Sequence, residues 1–265
     1  MPRPSRLVIL GHPVGHSLSP RMQNAALRSA GIPLEYTALD VAPADLPATL
    51  DAMIADNVAG NVTIPHKEAV ALRASLTPLA QRVGAVNTFW IDRGTLQGDN
   101  TDVAGFDAAV RALLGSPPRG AVVVNGAGGS AAAVLAAAEQ WNGVVALVHG
   151  RSPARVETLC SRFPRSARPA PSLKAAVAHA SLVVNASPVG MTDDAHPVPL
   201  DLIPTSAAIV DLVYRPGGTA WSRAARARGH RACDGLPMLV EQGAAAFERW
   251  FGMRADRAAM WHALT

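Results

Sequence analysis

The chain has 265 residues, 49% of them hydrophobic, and a formal net charge of +4, enough apolar sequence for one large domain or two ordinary ones and too much for a disordered protein. Its two cysteines, Cys160 and Cys233, stand far apart and match no metal-ligand spacing, so neither a disulfide framework nor a metal site is indicated and a cytoplasmic location is expected. The apolar run LVIL before Gly11 is far shorter than the apolar core of a signal peptide, and the uncharged stretch 121–138 holds Asn125, Gly126, Gly128, Gly129 and Ser130, a poor composition for a membrane span.

In chain order, LVIL (7–10) reads as a strand ending at Gly-His-Pro. AALRSAG follows as a helix, LEYTALDV (34–41) as a strand, DLPATLDAMIA as a helix, and GNVTI as a strand leading into a helix that starts at Pro65. This βαβαβα rhythm predicts a mostly parallel sheet covered by helices. VNTFWIDRGTLQGDN reads as a hairpin turning at Asp92, Arg93 and Gly94, and VAGFDAAVRALLG (103–115) as a helix stopped by Gly115. The stiff SPPRG break comes next, so the first domain boundary is expected in that break or in the helix before it.

The segment NVTIPHK (61–67) stands out for its lysine. Of 24 Lys and Arg residues only Lys67 and Lys174 are lysine. Lysine, unlike arginine, can give up its proton near neutral pH when its surroundings favour the amine. At the start of a helix its charge faces the positive end of the helix dipole, a poor place for stability. His66 beside it reads as a packing or hydrogen-bonding neighbour. His12 and His16 are four residues apart but lie in a Gly- and Pro-rich loop without a third ligand, so no metal is expected.

The second lobe opens with AVVVN (121–125) and then GAGGSAAAVLAAAEQ, the strand, glycine turn and helix in which Gly-x-Gly-x-x-Ala carries meaning. Gly126 permits the tight turn, Gly128 lets backbone approach a pyrophosphate, and Ala131 allows helix to pack on strand. Free amides around Gly129 and Ser130 would hold phosphates. The next strand, GVVALVH (143–149), ends without the Asp or Glu that accepts from an adenosine ribose. Instead Arg151, Ser152 and Arg155 offer two guanidinium groups and a hydroxyl where a 2′-phosphate would lie, which favours NADPH over NADH. Ser152 also reads as a helix N-cap with Pro153 at the first position. The alanine- and leucine-rich stripes at 131–138 and 175–183 read as core faces.

Arginines thicken in the later half, at 151, 155, 162, 165 and 168 and again at 223, 226, 228 and 231. No aromatic residues interleave with them as a stacking platform for nucleic acid would need, so a small anionic ligand is the better partner and no nucleic-acid or membrane partner is expected.

Eight blocks in order carry a resemblance: GHPVGHSLSP (11–20), NVTIPHK (61–67), GAVNT (84–88), GDNTD (98–102), GAGGSAAA (126–133), NASPVGM (185–191), DLVYRP (211–216) and DGLPMLVEQGA (234–244). Through them nearly the whole chain resembles the shikimate dehydrogenases. The resemblance implies NADPH-dependent reduction of 3-dehydroshikimate to shikimate, a step of aromatic amino acid and chorismate biosynthesis, by a monomer or homodimer. Lys67 and Asp102 match the catalytic dyad. Ser17 and Ser19 match the hydroxyls that bind the substrate carboxylate, and Thr63, Asn87, Tyr214 and Gln242 match positions that bond the ring hydroxyls. Gly126, Ala127, Gly128, Gly129 and Ser130 match the cofactor loop, Arg151, Ser152 and Arg155 its phosphate site, and Ser187, Leu212 and Gly235 its nicotinamide side.

The chemistry asks for the same residue types. Hydride delivered to a ketone leaves negative charge on oxygen, which a positioned acid must neutralise as it forms, and Asp102 would orient the Lys67 ammonium to do so. Asp102 also reads as a turn or N-cap residue before the helix at Val103. The sequence departs from the family pattern at Gln23 and Asn24, where a His-Asn pair is usual, at Gly150-Arg151-Ser152, where Asn-Arg-Thr is more frequent, and at Ala131, often glycine. Pro78 falls near where some members carry an acid. The expected architecture is an α/β fold of two domains, with substrate between the lobes and NADPH on the second. A substrate-binding and catalytic domain of residues 1–103 and 235–265 holds a mostly parallel sheet, and residues 104–234 form a Rossmann-type, doubly wound NADP-binding domain. A quinate dehydrogenase of broader specificity and a non-catalytic NADPH-binding paralogue are the rivals. Ser19 leans toward shikimate, and retention of both Lys67 and Asp102 argues against the paralogue.

Overall fold

A computed structural model of the chain describes residues 3–265. It divides into two compact units, one made of the residues up to Gly105 together with Leu239–Thr265, the other of Phe106–Met238. Both divisions fall inside helices, a few residues beyond the boundaries 103/104 and 234/235 expected from sequence.

In the first unit β1 (Leu7–Gly11), β2 (Tyr36–Asp40), β3 (Ala59–Val62), β4 (Ser75–Leu76), β5 (Thr88–Asp92) and β6 (Thr95–Asp99) form one sheet in the order β2-β1-β3-β5-β6-β4. β1 runs parallel to both β2 and β3, and every residue of it is buried, as a strand covered on both faces requires. The β5–β6 hairpin joins antiparallel to β3, and β4 runs parallel to β6. Arg93 and Gly94 take φ of 49° and 72°, the left-handed pair that a two-residue hairpin turn demands.

The helices of this unit are α1 (Ser19–Ser29), α2 (Leu46–Ala55), α3 (Lys67–Ala71) and α4 (Pro78–Val83). Val8, Leu10, Leu50, Met53, Val62, Val70, Val86 and Phe89 bury against one another beneath them. α4 shows local signals in agreement: the Thr77 hydroxyl accepts from the Ala80 N–H at 3.2 Å, Pro78 opens the helix, and Gly84 closes it at φ 70°. α3 corrects the sequence expectation. Pro65 is not its first residue, because the His66 N–H closes a turn on Thr63 O at 2.9 Å and the helix begins only at Lys67.

The chain leaves this unit within α5 (Asp102–Leu114). In the second unit β7 (Gly120–Asn125), β8 (Val144–His149), β9 (Ala167–Pro169), β10 (Ala180–Asn185), β11 (Ala208–Asp211) and β12 (Ala232–Cys233) pair in the order β12-β11-β10-β7-β8-β9, parallel throughout. Counted from β7 this is the doubly wound dinucleotide-binding order, which reverses direction between β7 and β10. Its helices are α6 (Gly129–Ala138), α7 (Pro153–Arg162), α8 (Leu173–Val177) and α9 (Ala220–Ala227). Residues 131–138 of α6 are buried on all sides, the position of a central covering helix rather than a membrane span; among the described residues no helix is long and apolar enough to cross a membrane. Of the 175–183 stripe Ala176, Val177, Ala180, Leu182 and Val183 are buried while Ala175, Ala178 and His179 are exposed, and it is not one element, since it runs from the end of α8 into β10.

α10 (Leu236–Phe251) carries the chain back to the first unit, and α11 (Arg257–His262) ends it there, lying along α1. The Trp250 indole N–H donates to Phe89 O at 3.1 Å, and Gln23 Nε2 donates to Gly243 O at 2.9 Å. A Cβ on Gly243 would stand 2.2 Å from the Met22 methyl, so a larger residue there would make the Met22 side chain shift where α1 and α10 meet.

Candidate functional site

In the first unit Lys67 opens α3 and Asp102 opens α5. Lys67 Nζ donates to Asp102 Oδ2 at 2.6 Å, with the two side chains 13% and 6% exposed. An anion suits a helix N-terminus and a cation does not, so α5 favours Asp102 while α3 disfavours Lys67; the ion pair offsets that cost. Removing either partner would leave the other charge buried and uncompensated.

Asn87, at the mouth of the β5–β6 hairpin and 2% exposed, completes the carboxylate's environment. The Thr101 backbone N–H, which can only donate, points at Asn87 Oδ1 at 2.7 Å. That bond fixes the orientation of the amide and turns Nδ2 toward Asp102 Oδ1 at 2.8 Å, with Thr101 Oγ1 at 2.9 Å and Gln242 Oε1 at 3.2 Å also in reach. Both carboxylate oxygens of Asp102 are therefore held by side-chain donors, which is more than the turn or N-cap role read from sequence. The network continues outward through residues that sequence reasoning did not single out. The Thr88 and Thr101 hydroxyls lie 2.9 Å apart, Asn61 Nδ2 donates to Asn87 O and Thr88 Oγ1 at 3.0 Å, and the Tyr36 hydroxyl donates to Asn61 Oδ1 at 2.7 Å. Asn61, Thr88 and Thr101 all fall inside the blocks quoted above, and their uncharged polar types among buried neighbours were the available signal.

The other candidates of the first unit have local partners of their own. Gln242 Nε2 donates to Leu239 O at 2.8 Å. Ser17 Oγ accepts from the Ser19 N–H at 3.2 Å at the start of α1. Thr63 follows β3, its N–H bonded to Leu10 O at 2.8 Å; a Cβ on Gly11 would meet the Thr63 methyl at 2.5 Å, so glycine makes room for it. Asp40, at the end of β2, accepts from His12 Nδ1 at 2.6 Å and from the Val14 N–H at 3.3 Å, pinning the loop that leads to Ser17; the His12 bond holds its carboxyl below the usual range. His66 is 1% exposed and bonds Val41 O at 2.7 Å. Tyr214, grouped with these residues by sequence, belongs to the second unit, where it follows β11.

The second unit presents the phosphate-binding candidates at the turning point of its sheet. Gly126 leaves β7 at φ 140°, and a Cβ there would stand 2.4 Å from Ala186 O, so the loops after β7 and β10 meet at a glycine that nothing larger can replace. Gly128 caps α6 without a side chain, and the space around it is open. The leading amides at Gly129 and Ser130 thus sit at a bare helix N-terminus beside Ala127, a donor set that fits a pyrophosphate. Arg151 and Arg155 are exposed at the start of α7, and the Ser152 hydroxyl accepts from the Arg155 N–H at 3.4 Å as the N-cap foreseen.

Ser187, Leu212 and Gly235 converge on a buried carboxylate that the sequence did not bring to notice. Asp211, fully buried at the end of β11, accepts from Asn185 Nδ2 at 2.8 Å and the Val213 N–H at 3.1 Å through Oδ1, and from the Thr219 hydroxyl at 2.8 Å through Oδ2. Burial pushes this carboxyl up to about 6; the three bonds pull against the shift and the nearby Asp234 adds to it.

The family model described as the shikimate dehydrogenase substrate binding domain matches residues 9–89, and that of the shikimate 5′-dehydrogenase C-terminal domain matches residues 235–265. An NADP-dependent shikimate dehydrogenase of Thermus thermophilus is 42% identical over 96% of this chain and 95% of its own length. That of Symbiobacterium thermophilum is 42% identical over 95% of this chain and 90% of its own. A crystal structure of shikimate 5-dehydrogenase from Thermus thermophilus in complex with NADP(H) and shikimate superposes with a TM-score of 0.88 at 42% identity, covering 98% of each chain. The chain belongs to the shikimate dehydrogenase family.

Proposed function

We propose that this protein catalyses the reversible, NADPH-dependent reduction of 3-dehydroshikimate to shikimate in the cytoplasm. The observation that carries the reading is the buried Lys67–Asp102 pair with its carboxylate locked by Asn87. In this reading the first unit is the substrate domain and the second the NADP domain. Ser17 and Ser19 bind the substrate carboxylate, and Thr63, Asn87, Gln242 and Tyr214 bond the ring hydroxyls. Gly126, Ala127, Gly128, Gly129 and Ser130 hold the pyrophosphate, Arg151, Ser152 and Arg155 the 2′-phosphate, and Ser187, Leu212 and Gly235 line the nicotinamide side. Bound there, NADPH supplies the hydride that reduces the ketone. Lys67 places its ammonium at the ketone oxygen and gives it a proton as negative charge develops, and in the oxidative direction the neutral amine takes that proton back. Asp102 keeps Nζ on one line of approach, and Asn87 keeps Asp102 from turning away. Gln242, with one amide hydrogen on Leu239 O, has a second to offer a hydroxyl.

The test is to offer shikimate and quinate, each with NADP and with NAD, and to follow the reduced nicotinamide by absorbance. Turnover should be fastest with shikimate and NADP. No turnover with shikimate in any combination would overturn the proposal, and faster turnover of quinate would reassign the substrate.

A further inference from the structure

Asp211 makes no direct hydrogen bond to Ser187, yet the two are connected. Asn185, at the end of β10, donates through Nδ2 to Asp211 Oδ1 at 2.8 Å and to Val189 O at 3.2 Å, while its Oδ1 accepts from the Ser187 N–H at 3.1 Å and the Ser187 hydroxyl at 2.6 Å. One amide therefore folds the loop 185–189 around itself, and Asp211 fixes which way that amide faces. On its other side Asp211 accepts from the Val213 N–H, which sets the turn at Leu212, and Val213 O accepts from the Gly235 N–H at 2.9 Å. A Cβ on Gly235 would stand 2.3 Å from Leu212 O, so the segments at 212 and 235 lie in direct backbone contact. Thr219, the N-cap of α9, anchors the second carboxylate oxygen and accepts from the Ser222 N–H at 3.2 Å. Three loops from the ends of three strands thus hang on one buried carboxylate.

We propose that Asp211 is a positioning residue for the nicotinamide side of the NADP site, setting the loop that carries Ser187 through Asn185 and the segments that carry Leu212 and Gly235 through Val213. The inference rests on the reading of the second unit as the NADP domain. Burying a carboxylate among neutral donors costs folding energy that its hydrogen bonds only partly offset, and an apolar residue would fill the same space at lower cost. Its two oxygens serve Asn185, Val213 and Thr219 together, which an apolar side chain could not do.

The hydrogen bonds specify how variants differ. In Asp211→Asn the side-chain oxygen can still accept from Asn185 and Val213, while the new NH2 donates to the Thr219 hydroxyl, which can accept; the loops stay in place. Asp211→Ala releases Asn185. Asn185→Ala cuts the link to Ser187 but leaves Asp211 its bonds to Val213 and Thr219, so the fold persists. NADP affinity by direct titration is the readout, with the KM values for NADP and shikimate alongside. Asn185→Ala and Asp211→Ala should each weaken NADP binding roughly tenfold, the effect of one ordered hydrogen bond. The KM for shikimate should be unchanged, and Asp211→Asn should bind NADP with wild-type affinity. A structural defect alone would lower the active fraction without moving NADP affinity. Unchanged affinity in folded Asn185→Ala overturns the inference, whether or not Asp211→Ala folds. Failure of the wild-type chain to bind NADP overturns the functional reading and the inference with it.

Discussion

Two buried aspartates, one in each unit, make the instructive contrast. Asp102 faces an ammonium at 2.6 Å, whereas Asp211 faces neutral donors and a second carboxylate, Asp234. In the proposed reaction the first holds the ammonium that gives a proton to the substrate oxygen. The second is bonded to neutral groups, the backbone and side chains of neighbouring loops, and holds them in place. A buried carboxylate paired with a mobile proton donor suits chemistry, and one surrounded by neutral donors suits geometry.

The contrast can be broken most sharply at Lys67. Lys67→Arg keeps the charge and the partner but removes a group that readily gives up a proton, so kcat should fall about 10³-fold while shikimate still binds; near-normal turnover would remove the acid–base role. Asp102→Asn keeps size and loses the charge that orients the ammonium, and steady-state assays should find kcat lower by roughly 10²-fold. At the proposed 2′-phosphate site, Arg151→Ala should raise the KM for NADP about tenfold and leave that for NAD nearly unchanged, since only the former carries the 2′-phosphate.

The Asp211 side of the comparison is a matter of stability and pH. Its folded-state value near 6 lies above the unfolded 3.8, so the folded protein binds the extra proton in that window, and the group's contribution is full below about pH 4 and lost as pH rises through 6. The shift corresponds to roughly 3 kcal/mol at most. Asp211→Asn escapes this loss, so urea unfolding should find the variant gaining on wild type between about pH 4 and pH 7, and a constant difference across that range would contradict the account. Lys174→Arg, in α8 of the second unit and outside every block, should change neither turnover nor stability measurably.

Much of this was legible in the sequence, for identifiable reasons. The βαβ rhythm, the Arg93–Gly94 turn and the strand–glycine–helix at 121–138 depend on local periodicity and backbone freedom, and the structure has them in the order expected, although α1 starts at Ser19, six residues before the helix read at 25–31. The start of α3 was not, since the turn at Thr63–His66 is held by a single backbone bond that no propensity announces. Nor was the split of the 175–183 stripe, because alanine and valine fill a buried helix end and a buried strand equally well. Asp211 was missed for a different reason. Its block DLVYRP was quoted for Leu212 and Tyr214, and nothing in the one-dimensional pattern places its carboxylate against Asn185 and Thr219, which arrive from other strands and helices.

The most direct test of the central claim is isotopic. With 3-dehydroshikimate and NADPH carrying deuterium on both faces of nicotinamide C4, mass spectrometry of the product should find shikimate bearing a single deuterium on the reduced carbon. Absence of shikimate, or shikimate without deuterium, would contradict the account.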